Sequence, residues 1–271
     1  MKLAVSNIGL LPYTHLDDLG ALTEMGFEGL EVALSRTFPE DWNHPNTADV
    51  ETYRRGVEAF GLNVVGLHSL FWDRPDYTMF GHADVITKTM NFLVQLSAVC
   101  RDLGGKTLIY GSRTARTRGH RTMEEANAAA TDFFGALCQR VEGHGTCFCI
   151  EPLETEVADY IHSVLESQTI VKAVDHPALR VQIDVKAMAL VDEVQPEIFE
   201  AVRDDLVHVH ANEPGFEVLG TSGLVDHEKI GTCLKNIGYD GYVSIEQRMI
   251  DAADPFAGIC ESVKVLKECY T

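Results

Sequence analysis

Short apolar runs alternate with longer segments of helical period along the whole chain, and glycine closes most of the helical ones. The pattern predicts strands at 2–8, 30–34, 63–70, 106–110, 147–153, 181–185, 206–210 and 242–247. Between and after them it predicts helices at 17–25, 47–60, 82–103, 123–141, 162–174, 196–203, 226–236 and 255–269. Gly26, Gly61, Gly104 and Gly238 stand where helices stop, as C-cap glycines do. Eight strands alternating with eight helices, with no linker or low-complexity break, is the pattern of an α/β chain folded as a single (β/α)8 TIM barrel over residues 1–271. A doubly wound open sheet would carry a glycine-rich phosphate turn after an early strand, and no G-x-G-x-x-G occurs there.

Charge narrows the partners. The chain has 22 Lys and Arg against 41 Asp and Glu, a formal charge of −19. A polyanion needs a basic surface, so nucleic acid and anionic membranes are excluded as expected partners, and a small neutral or singly anionic molecule remains. No run of 18 apolar residues occurs, and the amino terminus already reads as a strand, which predicts a soluble, cytoplasmic protein. The seven cysteines read as reduced packing residues rather than a disulfide framework.

Strand five holds the main chemical clue. Alternation puts Phe148 and Ile150 on one face and Cys147, Cys149 and Glu151 on the other, and Pro152 ends the strand just past the carboxylate. In a (β/α)8 barrel the site is built at the C-terminal ends of the strands, so residues there are the candidates. Strand two offers Glu31, strand three His68, strand six Asp184, strand seven His208 and His210, and strand eight Glu246. Three carboxylates and an imidazole sharing one small, partly dry cavity repel one another unless a cation compensates them. A divalent metal bound by Glu151, Asp184, His210 and Glu246 is the simplest resolution. That donor set favours manganese or magnesium, with cobalt or zinc next.

Taken in order, Ile150-Glu151-Pro152, Gln182-Ile183-Asp184, His208-Val209-His210-Ala211-Asn212 and Ser244-Ile245-Glu246 resemble the xylose isomerase-like barrel superfamily, in particular its sugar phosphate isomerase/epimerase and ketose 3-epimerase branch. The resemblance covers the whole chain. It implies one divalent cation (Mn, Mg, Co or Zn) on the Glu, Asp, His, Glu set, a small carbohydrate-like substrate, and a dimer or tetramer of identical chains as a common arrangement. The sequence departs from that branch at Ala187, where a substrate-binding histidine is usual, and at Val157, where the epimerases carry a further glutamate. Tyr110 stands where the three-zinc endonuclease relatives place a histidine.

The implied chemistry is proton transfer. Glu151 and Glu246 approach from nearly opposite sides of the barrel, so one can remove a proton next to a carbonyl and the other return it from the opposite face, which epimerises that carbon through an enediolate. Return to the neighbouring carbon isomerises instead. A dehydratase of a cyclic keto-polyol is the alternative on the same scaffold, with an endonuclease-like hydrolase or a non-catalytic relative behind it. Glu31, His68 and His208 are candidates for substrate hydroxyls, although His208 reads equally as a core histidine. Arg248 and Arg113 are candidates for an anionic group on the substrate. Trp72, in the loop 71–75, is placed either over the mouth as a lid or at an oligomer interface.

Overall fold

Strands whose alternate residues are apolar on one face and small or polar on the other can close on themselves, because the barrel interior then accepts the second set. In the computed structural model, which describes residues 1–271, eight parallel strands do so in chain order, with β8 pairing back onto β1. The elements run β1 (Lys2–Ser6), α1 (Leu19–Glu24), β2 (Gly29–Val32), α2 (Thr47–Ala59), β3 (Asn63–Leu67), α3 (Ala83–Asp102), β4 (Thr107–Tyr110), α4 (Met123–Val141) and β5 (Cys147–Ile150). They continue α5 (Val164–Val174), β6 (Leu179–Asp184), α6 (Val185–Leu190), α7 (Pro196–Val202), β7 (Leu206–Ala211), α8 (His227–Asn236), β8 (Tyr242–Ile245) and α9 (Ala257–Tyr270). The fold is the predicted single (β/α)8 barrel.

The helices sit outside and bury one stripe each against the strands. In α4 the buried positions Ala126, Ala130, Phe133, Phe134, Leu137, Cys138 and Val141 recur at three- and four-residue intervals. Its start is set by Thr122, whose hydroxyl accepts from the Glu125 amide while the Glu125 carboxylate accepts from the Thr122 amide, a capping box. Sixty-five of the buried hydrophobic residues form one contiguous cluster. No helix is long and apolar enough to cross a membrane.

Three local departures from the sequence pattern matter for the site. A ninth helix, α6, begins directly after β6, because Asp184 ends the strand and caps the helix: its Oδ1 accepts the Ala187 amide at 2.8 Å. The apolar run 185–190 has no stop signal before it, so the pattern does not separate it from the strand. β2 ends at Val32 because residues 34–36 turn into a 3-10 helix. β5 ends at Ile150, although the Glu151 amide still bonds to Tyr110 O at 3.4 Å, so Pro152 is what cuts the pairing off.

One fully buried arginine ties these strand ends together. Arg116, in the loop after β4, donates from Nε to Ser112 O at 3.2 Å, from Nη1 to Glu151 O at 2.6 Å and from Nη2 to Tyr110 O, with its guanidinium 5.7 Å from the Tyr110 ring centre. Removing it leaves three strand-end carbonyls short of a donor and a void among them. Arg116→Ala is therefore expected to lower the free energy of unfolding by about 3 kcal/mol in urea titrations. A loss under about 1 kcal/mol would show that the clamp is dispensable.

Candidate metal centre and substrate cavity

Four consecutive strands deliver the four expected ligands to one point. Glu151 follows β5, Asp184 ends β6, His210 lies on β7 and Glu246 follows β8, and their ligand atoms all lie within 4.8 Å of one another. All four are buried. His210 Nδ1 stands 3.1 Å from Glu151 Oε1 and 3.3 Å from Glu246 Oε2. Neutral donors hold the carboxylates in place: Gln182 Nε2 donates to Glu151 Oε1 at 3.1 Å, and Asn212 Nδ2 donates to Asp184 Oδ2 at 2.7 Å and to Glu246 Oε2 at 3.0 Å.

The other ring nitrogen of His210 faces away from this cluster. Nε2 lies 3.1 and 3.0 Å from the two oxygens of Glu31, a fully buried carboxylate that also accepts from Ser244 Oγ at 2.9 Å. Donation from Nε2–H to Glu31 leaves the Nδ1 lone pair aimed at the four-residue cluster, which is how a carboxylate orients a histidine ligand. His208 Nε2 is 3.1 Å from Glu31 Oε1 but is not aligned for a hydrogen bond. Glu31, His208 and His210 form a second compact group, in which two imidazoles meet one carboxylate.

Electrostatics separate the two groups. Burial pushes the Asp184 carboxyl up to about 7, with Glu151 and Glu246 adding to the push and Lys186 opposing it. Burial also works against ionised Glu246, yet His210 and His68 hold it well below the usual carboxylate range. His210 is raised far above an ordinary imidazole because Glu31, Glu246 and Glu151 overcome the cost of its burial. One imidazolium is thus shared among three carboxylates, and Asp184, crowded by two of them, is the group that takes up a proton. Three carboxylates and one imidazole nitrogen, already gathered and with a proton standing in for positive charge, fit a divalent cation of the manganese or magnesium type.

Above the cluster opens a cavity of about 560 Å³. His68 and Trp72 line it, as do Glu151, Asp184, His210 and Glu246. His68 is fixed from behind by Ser6 Oγ at 2.6 Å, with Nδ1 3.7 Å from Glu246 Oε1. Two sequence expectations are corrected here. Glu31 and His208 line no part of the cavity; they lie fully buried against the far side of His210. Arg248 is outside as well, exposed with its guanidinium 5.2 Å from the ring centre of Phe216, whose other surroundings include the cavity.

Three residues carry more of the site than the sequence reading assigned to them. Asn212 lies two positions beyond His210, so the strand's alternation was signal enough for it. Gly111 lies two beyond Ile109 on the same inward face, but a glycine has no side chain to draw notice; a Cβ there would sit 1.6 Å from Glu151 Oε2. Lys186 rides on α6, the helix the pattern did not separate. Its ammonium pairs with Glu154 Oε1 at 2.7 Å and stands 4.5 Å from the Phe216 ring centre at the cavity wall.

Gly111→Ala should displace the Glu151 carboxylate and weaken manganese binding by at least about tenfold in calorimetric titration, while the far-UV spectrum stays unchanged. Unaltered affinity would mean that Glu151 is not held where the cation binds. A pH effect follows from Asp184. Its raised folded value means that the folded chain binds a proton between 3.8 and about 7 that the unfolded chain lacks, so this group's contribution to stability falls as pH rises through that window. A bound cation replaces that proton, so the rise in Tm on adding manganese should be larger near about pH 8 than near about pH 5. Equal rises at both would contradict cation binding at Asp184.

Residues 19–269 match the family model described as xylose isomerase-like TIM barrel. The chain is 22% identical over 285 residues to the 3-dehydro-D-guloside 4-epimerase of Escherichia coli K12, covering 99% of this chain and 100% of that one. It is 30% identical over 105 residues to the D-psicose 3-epimerase of Ruminiclostridium cellulolyticum, a match of 39% of this chain and 36% of that protein. Among solved structures it superposes on D-psicose 3-epimerase with D-tagatose from Clostridium cellulolyticum H10 with a TM-score of 0.84 at 15% identity, covering 100% of this chain and 99% of that one. On the apo 3-keto-D-glucoside 4-epimerase YcjR of E. coli the TM-score is 0.82 at 20% identity, covering 99% and 100%. The curated relatives named here are sugar epimerases, and the chain belongs to the xylose isomerase-like TIM barrel family.

Proposed function

We propose that the protein is a metal-dependent epimerase or isomerase of a keto-sugar, with Glu151 and Glu246 as the groups that move the proton. The observation that carries this reading is that two buried carboxylates from β5 and β8 meet at one cavity with His210 between them. The names of the curated relatives support it, since each describes inversion at a carbon next to a carbonyl.

A divalent cation held by Glu151, Asp184, His210 and Glu246 supplies Lewis acidity, stabilising negative charge on a carbonyl oxygen when a neighbouring proton leaves. The protein's own groups divide the remaining work. Asp184 is tied at both oxygens, by the Ala187 amide and by Asn212, and only binds. Glu151 keeps Oε2 free of hydrogen bonds, and Glu246 keeps Oε1 beyond hydrogen-bond distance of His68, so each has an oxygen for a proton. Glu246, held ionised by His210 and His68, accepts the proton, and Glu151, which enters the cycle carrying a proton, delivers it to the opposite face; proton exchange with water in the open cavity then restores both groups. Delivery to the same carbon inverts it; delivery to the adjacent carbon shifts the carbonyl. His68, at the cavity floor, is placed to hold a substrate hydroxyl.

One observation favours a lyase reading. The Lys186 ammonium, at the cavity wall beside Glu154, stands where a proton could be handed to a departing hydroxyl. Deuterium wash-in without loss of water separates the two: an epimerase exchanges a carbon-bound hydrogen and keeps the substrate mass otherwise, a dehydratase does not.

Purified protein is expected to hold about one manganese or similar ion per chain by elemental mass spectrometry, and Asp184→Asn and His210→Ala to lose it. Glu151→Gln should retain metal while turnover falls by about 10²- to 10⁴-fold in D₂O exchange with keto-sugars. Full turnover in Glu151→Gln would remove that residue from the proton path, and the absence of bound metal even after incubation with manganese would end the enzymatic reading.

A further inference from the structure

The cavity has two halves of opposite chemistry. Its floor carries the carboxylates, His210 and His68. Its outer wall carries Trp72, Val157, Leu190 and Leu224, which are 63%, 37%, 49% and 59% exposed. Only nine large hydrophobic side chains in the protein are exposed to this degree, and four of them border this one opening, so the concentration is not ordinary surface scatter. They arrive on four separate segments: the loops after β3, β5 and β7, and α6.

These segments are held in place. In the β7 loop, the fully buried Glu213 accepts from the Gly220 amide at 2.7 Å, from Ser222 Oγ and from His227 Nε2 at 3.1 Å, bracing the turn that presents Leu224. In the β3 loop, Trp72 sits between Ser69 and Asp73, both in the left-handed region at φ 53° and 55°, and Arg74 anchors the loop by donating to Asn43 Oδ1 at 2.8 Å. An apolar rim built on braced segments is a surface shaped for an apolar ligand.

A free sugar matches that wall poorly. Its hydroxyls ring the molecule, and each one placed against Val157, Leu190 or Leu224 loses its hydrogen bonds to water without replacement, leaving only the small C–H faces of the ring to match the wall. The one cation on the wall, Lys186, is already engaged by Glu154. The volume of about 560 Å³ lies within the roughly 300–1,000 Å³ range of small-molecule pockets and leaves space beside a sugar on the floor. We infer that the substrate is a keto-sugar carried as a glycoside, whose flat apolar aglycone rests against Trp72, Leu190 and Leu224 while its carbonyl end lies on the floor. The sugar end of this inference rests on the epimerase reading above; the aglycone end rests on the rim.

The two ends are tested separately. Phenyl and methyl β-D-glucopyranosides, which have no carbonyl and do not react, report the rim alone. In calorimetric titration of the manganese-loaded protein, the phenyl compound is expected to bind about tenfold more tightly than the methyl compound and to shift the tryptophan emission, with both effects lost in Trp72→Ala. The corresponding phenyl and methyl keto-glucosides then report the chemistry by deuterium exchange: kcat/KM should favour the phenyl compound by about tenfold, chiefly through KM, and Trp72→Ala should bring the ratio toward one. Equal affinities for the phenyl and methyl glucosides would overturn the aglycone site while leaving the epimerase reading intact if exchange persists. Exchange with free ketoses alone would likewise overturn it. Tight phenyl binding with no exchange in any keto-sugar would support the apolar site and bring down the epimerase reading instead. A wild-type dimer that Trp72→Ala dissociates, with no glycoside effect on emission, would assign the rim to contact between copies and overturn the inference.

Discussion

Four carboxylates, Glu31, Glu151, Asp184 and Glu246, are kept nine-tenths or more buried around the imidazole of His210, with His208 and His68 at the margins, and the rest of the site depends on how that crowding is relieved. Two unit charges about 4 Å apart cost about 4 kcal/mol at an effective dielectric constant near 20, so the arrangement persists only where each charge has partners. His210 is the pivot, one nitrogen to Glu31 and the other to the Glu151 and Glu246 side. Gln182, Asn212 and Ser244 add neutral donors at alternate positions of the same strands. Arg116 places a buried cation under the backbone of Glu151. What stays uncompensated falls on Asp184, whose carboxyl is raised by its burial and by Glu151 and Glu246.

The floor and the rim of the cavity are built in different ways. The floor comes from strands, whose hydrogen-bonded neighbours fix side-chain positions closely, which suits the placement of metal ligands and proton-moving groups. The rim comes from loops and the short helix α6, where side chains differ more freely without disturbing the barrel. Ala187 and Val157, the two departures from the ketose 3-epimerase pattern, both lie on the cavity wall, and each puts an apolar surface where that branch has a polar one.

Much of this was legible in the residue pattern. The alternation of Cys147, Cys149 and Glu151 against Phe148 and Ile150, and the matching positions of Asp184, His210 and Glu246, are local properties of strands, and the closed barrel brings those four together as that pattern implied. The strand and helix order was legible for the same reason. The boundary between β6 and α6 was not, since Asp184 serves as strand end and helix cap at once and the apolar run through 190 suits either state. Lys186 was passed over as a consequence, and Gly111 because its contribution is the space it leaves for Glu151.

By itself, then, the sequence determined the barrel, the four residues that converge and the face on which each candidate lies, because side-chain period and glycine stops act within a few residues. The tertiary structure alone decided depth. Glu31 and His208 share the inward face with the ligands, yet they stand behind His210 instead of facing the cavity; Arg248 falls outside behind Phe216, and Lys186 falls inside. Depth in a closed barrel depends on the stagger between neighbouring strands, including the register shifts at Leu30/Glu31 and Val181/Gln182, and on where each loop turns back. Those are set by contacts between segments far apart in the chain, which no pattern within one strand records.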